Sequence, residues 1–222
     1  MRPKIFGALS VVFMIAALYM IFVYAPNEAT MGVIQRIFYI HLPAGISSYI
    51  SAYLLGAGGL LFLFTNNIKW DRFSAGAGEM GVFCTAISIA TGMLWAKPVW
   101  GIWWTWDARL TLQLLLALIF VSYLMLRAYL PNAEKRARLS AVFGMLAMVD
   151  VPFNYLSIRW WRTQHPQPVI GGGGLDWEMW KVLIVSFIAF ISLYAYLLDR
   201  RTAIANVQDE VDYMEHVILA ND

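Results

Sequence analysis

The sequence concentrates tryptophan in one segment and places histidines on either side of it. The segment WGIWWTWDARLT, residues 100–111, holds four tryptophans within seven residues, followed by Asp107 and Arg109. His41 precedes the segment and His165 follows it. Two imidazoles can fill both axial positions of a haem iron, and indole rings offer flat apolar surface to a porphyrin. The residue types therefore suggest haem binding, provided that the fold brings them together.

The composition is that of an integral membrane protein. Of the 222 residues, 60% are hydrophobic and 14% are charged, whereas soluble domains carry about 25% charged residues. The single cysteine, Cys84, lies in an apolar run, so a disulfide framework and a CxxC centre are excluded. The net charge of only +2 gives no reason to expect nucleic acid as a partner. Membrane lipid is the expected surrounding.

Six apolar stretches predict six transmembrane helices, since about 20 apolar residues cross the hydrocarbon core. They are residues 5–24, 45–64, 78–95, 110–130, 139–157 and 180–198. The first could also be a cleaved signal peptide, because Arg2 and Lys4 precede it. Its length and the lack of an obvious cleavage site favour a retained span. We expect an all-α membrane protein with a six-helix domain over 1–201 and an acidic amphipathic tail over 202–222.

Basic residues predict the orientation of the spans. Six spans place both termini on one side, and short basic loops are typical of the cytoplasmic side. The side with the termini and the second and fourth loops carries ten of the sixteen Lys and Arg residues: Arg2, Lys4, Lys69, Arg72, Arg127, Lys135, Arg136, Arg138, Arg200 and Arg201. The termini are therefore expected in the cytoplasm. The loops with His41, the tryptophan segment and His165 are expected on the periplasmic side.

The tryptophan segment has two interpretations. Interfacial tryptophans anchor many membrane helices, but an anchor does not explain four indoles in seven residues beside an Asp and an Arg. If Pro98 opens a short helix over 99–106, three of the tryptophans share one face of it. Asp107 is expected to cap the fourth span. The cations that could pair with haem propionates are Lys97, Arg109, Arg36, Arg159 and Arg162.

The pattern WGxWWxWDxRLT resembles the WWD signature of the haem-handling proteins of cytochrome c maturation. Chain length, six spans and two outer histidines that flank the signature are similar to the CcmC family, haem exporter protein C, over essentially the whole chain. The resemblance implies that His41 and His165 are the axial ligands of a b-type haem iron. It also implies that the WWD segment, 95–111, holds the edge of the haem. The haem contacts within it would be Trp100, Trp103, Trp104, Trp106 and Asp107, with Trp95 and Arg109 in addition.

The resemblance also implies partners. Proteins of this family present haem to the haem chaperone CcmE in the bacterial inner membrane. They work beside the ABC-type subunits CcmA and CcmB and the small membrane protein CcmD. The chain has no GxxxxGK[ST] motif, so any ATP hydrolysis belongs to a partner. We therefore expect a haem-binding and haem-presenting protein that is not itself an enzyme.

Three other functions would use the same features differently. A haem permease subunit, acting with the ABC-type subunits, needs a polar or histidine-lined route across the bilayer, and the predicted spans contain no histidine. A haem enzyme such as a quinol oxidoreductase normally has its haem histidines inside helices. A scaffold would use the tryptophans only as membrane anchors. The absorption spectrum of the purified protein separates the scaffold from the haem-binding functions.

Two features remain outside these assignments. Asp150 lies within the fifth span, where an ionisable group indicates a functional site, unless it is hydrogen-bonded into a helix break at Pro152. In the tail, apolar residues at spacings of three and four predict one face of a helix: Ile204, Val207, Val211, Met214 and Ile218. The tail has five acidic residues and no Lys or Arg. Such a face is expected to dock on a partner or on the chain's own loops, and its charge disfavours anionic lipid.

Overall fold

The computed structural model describes residues 2–166 and 175–219, and most of these residues lie in six long helices. They are α1 Arg2–Tyr19, α2 Phe38–Thr65, α3 Ile68–Trp100, α4 Ala108–Tyr129, α5 Ala133–Trp160 and α6 Trp177–Leu219. No β-strand occurs among these residues. All six helices belong to segments long and apolar enough to cross a membrane. The prediction of an all-α membrane protein with six spans is therefore confirmed.

The second span begins earlier than the sequence predicted. A 3-10 turn, Val33–Ile37, leads directly into α2, and the apolar segment that could cross the membrane runs from Val33 to Thr65. His41 therefore lies in the first turns of α2, and the expectation that no histidine lies within a span is wrong. The polar His41 and the nearby Pro43 interrupt the hydropathy pattern but not the helix.

Helix α2 lies at the centre of the bundle. Its residues Tyr49, Ala52 and Leu55 pack with buried side chains of α4, including Leu116 and Phe120. On its α5 side, a Cβ added to Gly56 would lie 2.9 Å from the carbonyl oxygen of Gly144. Small residues thus let α2 and α5 approach closely, as they do in many membrane proteins.

The segment with the tryptophans is not the short helix predicted over 99–106. Helix α3 continues through Pro98 to Trp100, and Gly101 then ends it with a left-handed backbone (φ 77°). The Gly101 N–H donates to the Lys97 carbonyl at 3.0 Å. Because glycine adopts this conformation without strain, it stops the helix here. Trp103, Trp104 and Trp106 consequently lie in a non-helical connection between α3 and α4.

Helix α6 runs without interruption past its membrane-spanning part. The helix has 43 residues, Trp177–Leu219, and at 1.5 Å per residue it is about 65 Å long, whereas the hydrocarbon core is about 30 Å thick. The helix predicted in the tail is therefore present, as an extension of α6. Six spans return the chain to the side of the membrane on which it starts, so this extension lies on the side opposite the start of α2.

Candidate functional site

A largely apolar cavity lies at the end of the bundle where α2 and α4 begin and α3 and α5 end. Its wall includes six of the residues singled out in the sequence: His41, Trp95, Trp100, Trp104, Arg109 and His165. Most other lining side chains are apolar, among them Phe38, Ile46, Ile89, Met93 and Ile158. The fold thus brings together side chains that come from five different parts of the sequence.

His41 and His165 are neighbours at this cavity. Their ring centroids lie 6.3 Å apart, with 39° between the ring planes. The Nδ1 atom of His41 is 2.9 Å from the main-chain oxygen of Ser88 and 3.1 Å from the hydroxyl of Thr91. Because a carbonyl oxygen can only accept, Nδ1 carries the proton and donates to Ser88. The Nε2 lone pair of His41 therefore remains available to a ligand.

His165 has the same arrangement on the other side. Its Nδ1 atom is 2.9 Å from the carbonyl oxygen of Pro166, and its main-chain N–H donates to the Thr163 hydroxyl at 3.1 Å. Burial lowers the pKa of His165 to about 4, and the nearby Arg109 cation also lowers it. The ring is therefore neutral at neutral pH, which is the form that coordinates metal ions.

The ring of His41 occupies a space that a glycine leaves open. A Cβ added to Gly92 of α3 would lie 3.1 Å from Cε1 of His41, closer than ordinary van der Waals contact. One turn further along α3, the Trp95 ring meets the His41 ring edge-on with centroids 5.9 Å apart. Gly92 and Trp95 together restrict the orientation of His41.

The tryptophans of residues 95–111 fall into two groups. Trp95, Trp100 and Trp104 line the cavity, and the indole N–H groups of Trp95 and Trp104 are buried without a hydrogen-bond partner in the described part of the chain. Buried donors without acceptors are costly, so these two suit a ligand that carries acceptor atoms. Trp103 and Trp106 lie outside the cavity wall and are 49% and 76% exposed.

Asp107 acts at the start of α4. Its side chain accepts a hydrogen bond from the Leu110 N–H at 3.1 Å, so the predicted helix cap is confirmed. The Thr105 hydroxyl donates to its other oxygen at 2.8 Å. Asp107 is not part of the cavity wall, so its contact with the site runs through the position of α4.

A polar cluster that the sequence analysis missed adjoins the cavity. Arg109 donates to the main-chain and side-chain oxygens of Asn154 at 2.7 and 2.9 Å, and its guanidinium lies 5.7 Å from the Tyr49 ring centre. Asn154, which is fully buried, donates to the Gln113 side-chain oxygen at 3.1 Å. The available signal was polar residues inside apolar spans at one- and two-turn spacings: Gln113 follows Arg109, and Tyr49 follows His41.

The other candidate cations have different surroundings. Lys97 donates to the Gly101 carbonyl at 2.8 Å and lies 6.0 Å from the Trp103 ring centre. Arg36 donates to the Phe22 carbonyl at 2.7 Å. Arg159 and Arg162 are exposed. Of the five cations considered in the sequence, Arg109 is the one on the cavity wall as far as the structure describes it.

Asp150 lies on α5, one turn before Asn154. Its side chain is buried, and neither carboxylate oxygen has a hydrogen-bond partner among residues 2–166 and 175–219. Helix α5 continues unbroken through Pro152 to Trp160. The interpretation that Asp150 is hydrogen-bonded into a helix break is therefore not supported.

The two histidines favour a metal group that supplies most of its own ligands. Within the described residues, no group of three or more His, Cys, Asp or Glu side chains could hold a bare metal ion. Structural and catalytic zinc sites use at least three protein ligands. Two imidazoles suffice for a haem, because the porphyrin supplies the other four nitrogens.

Comparisons with known proteins identify the family to which the sequence is similar. The sequence model of the family described as heme exporter protein C matches residues 2–215. A heme exporter protein C of Escherichia coli is 31% identical over 180 residues, which cover 79% of this chain and 72% of the relative. The heme exporter protein C of Bradyrhizobium diazoefficiens is 31% identical over 182 residues, 78% of this chain and 67% of the relative. A ccmC-like mitochondrial protein of Marchantia polymorpha is 31% identical over 178 residues, 80% and 75% of the two chains.

Proposed function

Since the chain belongs to the heme exporter protein C family, we propose that it binds b-type haem between His41 and His165 and presents it to the haem chaperone CcmE. Its role is haem delivery in cytochrome c biogenesis, and it is a transport component without a reaction of its own. The domain with this role is 1–201, with the haem held at the WWD segment, 95–111.

The observation that carries the proposal is the proximity of two imidazoles whose Nδ1 atoms donate to main-chain carbonyls, so that their Nε2 atoms are the ones left for a ligand. Metal–imidazole bonds are about 2 Å long, so two rings on opposite sides of one iron have centroids roughly 6 Å apart. His41 and His165 have a centroid separation of 6.3 Å. Hydrogen bonds to the Ser88 and Pro166 carbonyls hold both rings with Nδ1 protonated.

The rest of the cavity wall fits a haem as cargo. Its apolar side chains suit the porphyrin, and the unpartnered indole N–H groups of Trp95 and Trp104 suit acceptor atoms such as propionate oxygens. Arg109 contributes a cation at the same wall. Trp103 and Trp106 are exposed next to the cavity. We assign these two to the surface from which the chaperone takes up the haem.

Presentation is favoured over movement of haem through this chain. The described cavity residues lie at one end of the bundle. Further along α4, Leu116, Phe120 and Tyr123 are fully buried in the core. At the other end, Arg127 and Asp71 form a buried ion pair with two hydrogen bonds of 2.5 and 3.0 Å. A haem permease would need a route past both of these layers.

We further assign the orientation and the partners. The excess of Lys and Arg on the side of the termini supports an orientation with those termini in the cytoplasm of a bacterial cell and the haem cavity on the periplasmic side of the inner membrane. The ABC-type subunits CcmA and CcmB would supply ATP hydrolysis, and CcmD would be the third membrane partner.

An absorption spectrum tests the proposal. The protein purified from membranes should carry b-type haem with a low-spin, bis-histidine spectrum. His41→Ala and His165→Ala should each lose it, and His216→Ala, in the tail, serves as the matched control and should keep it. Covalent haem on co-expressed CcmE, normalised to the amount of each variant in the membrane, measures presentation. A double variant of His41 and His165 that stays fully loaded would contradict the proposal.

A further inference from the structure

The extension of α6 beyond the membrane exposes a continuous apolar face. Helix α6 has 43 residues and runs to Leu219, well past Leu198, where the apolar stretch 180–198 ends in the sequence. The apolar side chains along the extension are between 45% and 62% exposed: Ile204, Val207, Val211, Met214 and Ile218. Their spacings of three and four residues place them on one side of the helix. We call these five residues the tail face.

The membrane domain fixes the base of this extension. Arg201 of α6 forms an ion pair with Glu79 of α3. One to two turns later, Asn206 accepts a hydrogen bond from Arg72 of α3 at 2.8 Å. Because two contacts to the same helix hold the base, the direction of the extension is set by the bundle. The tail face therefore starts from a base that is held against α3 and continues on an uninterrupted helix.

Charge decides what can cover the tail face. Residues 202–222 contain five acidic residues and no Lys or Arg. An anionic membrane surface repels such a segment, and so does the same segment of a second copy. A basic segment at the same end of the bundle is partly engaged, since Arg138 at the start of α5 pairs with Glu134 at 2.9 Å and donates to Asn66 at 3.3 Å. The remaining occupant is a positively charged partner.

We propose that the tail face is the docking surface for a positively charged amphipathic helix of a partner protein, on the side of the membrane opposite the cavity. Apolar anchors at intervals of three and four residues are typical of helix-to-helix and helix-in-groove recognition. The acidic residues of the same segment attract a basic partner and speed its association. The site is independent of haem binding.

A peptide-binding experiment on the full chain tests the proposal. The protein is placed in nanodiscs of zwitterionic phosphatidylcholine. The probe is a fluorescein-labelled synthetic helix with leucine at positions i, i+3, i+4 and i+7 and lysine on its other side. The control probe has glutamate in place of lysine. The lysine probe should bind saturably above empty nanodiscs and more weakly as salt rises, and the glutamate probe should not bind.

Matched variants identify the surface. Val211→Ser combined with Met214→Ser should weaken binding of the lysine probe at least tenfold. Phe64→Ser is the control, because Phe64 is an apolar residue that is 82% exposed at the same end of the bundle. Haem load should be unchanged in all of them, which separates failure of this proposal from failure of haem binding.

Three results would overturn the proposal. The first is equal affinity of the lysine probe for the native chain and the double serine variant. The second is a dimer of the native chain in mass photometry that the double variant loses, which would make a second copy the occupant. The third concerns lipid. If the native chain in mixed detergent micelles binds to surfaces of anionic phosphatidylglycerol and the double variant does not, the membrane is the occupant.

Discussion

Arg109 of α4 donates two hydrogen bonds to Asn154 of α5, one to its main-chain oxygen at 2.7 Å and one to its side-chain oxygen at 2.9 Å. The pair joins the first turn of α4 to the last turns of α5 at the cavity wall. It holds a cation in a predominantly apolar site, where an unpaired charge would be costly. Asn154 is therefore expected to determine where the Arg109 guanidinium points.

Replacement of Asn154 tests this relationship. Asn154→Leu removes the side-chain acceptor, and a hydrogen bond to a charged group contributes about 1.5–3 kcal/mol. We expect lower thermal stability and a loss of retained haem, roughly tenfold if Arg109 contributes about 1.4 kcal/mol to haem binding. Asn154→Asp keeps an acceptor for Arg109 and should retain haem. Haem per protein after purification is the measurement. Equal haem loads in both variants would show that Arg109 does not depend on Asn154.

Gly92→Ala should weaken haem binding without lowering the stability of the protein. Alanine in a helix interior is favoured over glycine by about 1 kcal/mol, so the bundle should be as stable as before or more stable. The new Cβ would lie 3.1 Å from His41 Cε1 and must displace the ring. We expect weaker haem retention and an altered Soret band in a protein whose melting temperature does not fall.

Gly45→Ala is the control for this experiment. Gly45 lies on the cavity wall in α2, one turn after His41, and among the described residues a Cβ there would meet only the Ser88 hydroxyl, at 3.4 Å. The His41 ring should remain in place. A Gly92→Ala protein with a native spectrum would mean that the clearance at His41 is unimportant.

Replacement of Trp104 and replacement of Trp106 should impair different steps. Burial of apolar area contributes about 25 cal/mol per Å², so loss of the cavity-lining Trp104 ring should cost on the order of 2 kcal/mol, or about thirtyfold in haem retention. Trp106 is 76% exposed, so Trp106→Ala should retain haem but transfer less of it to CcmE. Haem load and covalent haem on CcmE are measured on the same membranes. If both variants insert and transfer haem normally, the tryptophans are membrane anchors.

Asp107→Ala should act on the site through the start of α4. Loss of a helix cap costs about 1 kcal/mol, and the first turn that positions Arg109 would loosen. Asn132→Ala is a matched control, because Asn132 caps α5 in the same way, accepting from Lys135 N–H at 2.8 Å at the other end of the bundle. The two variants should lose similar stability, and only Asp107→Ala should lose haem. Similar haem loads would assign Asp107 a purely structural role.

The proposed orientation can be tested by cysteine labelling in intact cells. Lys135→Cys lies in an exposed position at the start of α5, and Ala29→Cys is exposed between α1 and α2. A membrane-impermeant maleimide should label Ala29→Cys and not Lys135→Cys. The native Cys84 is buried within α3, so the unmodified chain should remain unlabelled. The reverse pattern would place the cavity on the cytoplasmic side.

The sequence by itself determined the class of fold and the residues to examine. Long apolar stretches have no stable alternative to helices in a membrane, because lipid cannot hydrogen-bond to an exposed backbone. Six spans could therefore be predicted from the positions of the apolar stretches alone. The cap at Asp107 could be predicted as well, since capping depends only on neighbouring residues.

The prediction of helix ends from the sequence failed where two local signals competed. Pro98 suggested a helix start, but Gly101 ends α3 and Asp107 begins α4, so the segment between them is not helical. The first turns of α2 were missed because His41 and Pro43 reduce the local hydropathy. Helix ends depend on which cap the chain uses, and hydropathy does not report that.

Only the tertiary structure decided which residues share the cavity. Spacing along the chain says nothing about the distance between His41 and His165. The fold brings the ring of His41 on α2 and the ring of His165, in the segment after α5, to a centroid separation of 6.3 Å. The same packing turns Trp104 into the cavity wall and leaves Trp106 exposed two residues later. It also pairs Arg109 with Asn154, 45 residues away. These contacts follow from the close approach of helices, which depends on all their side chains at once.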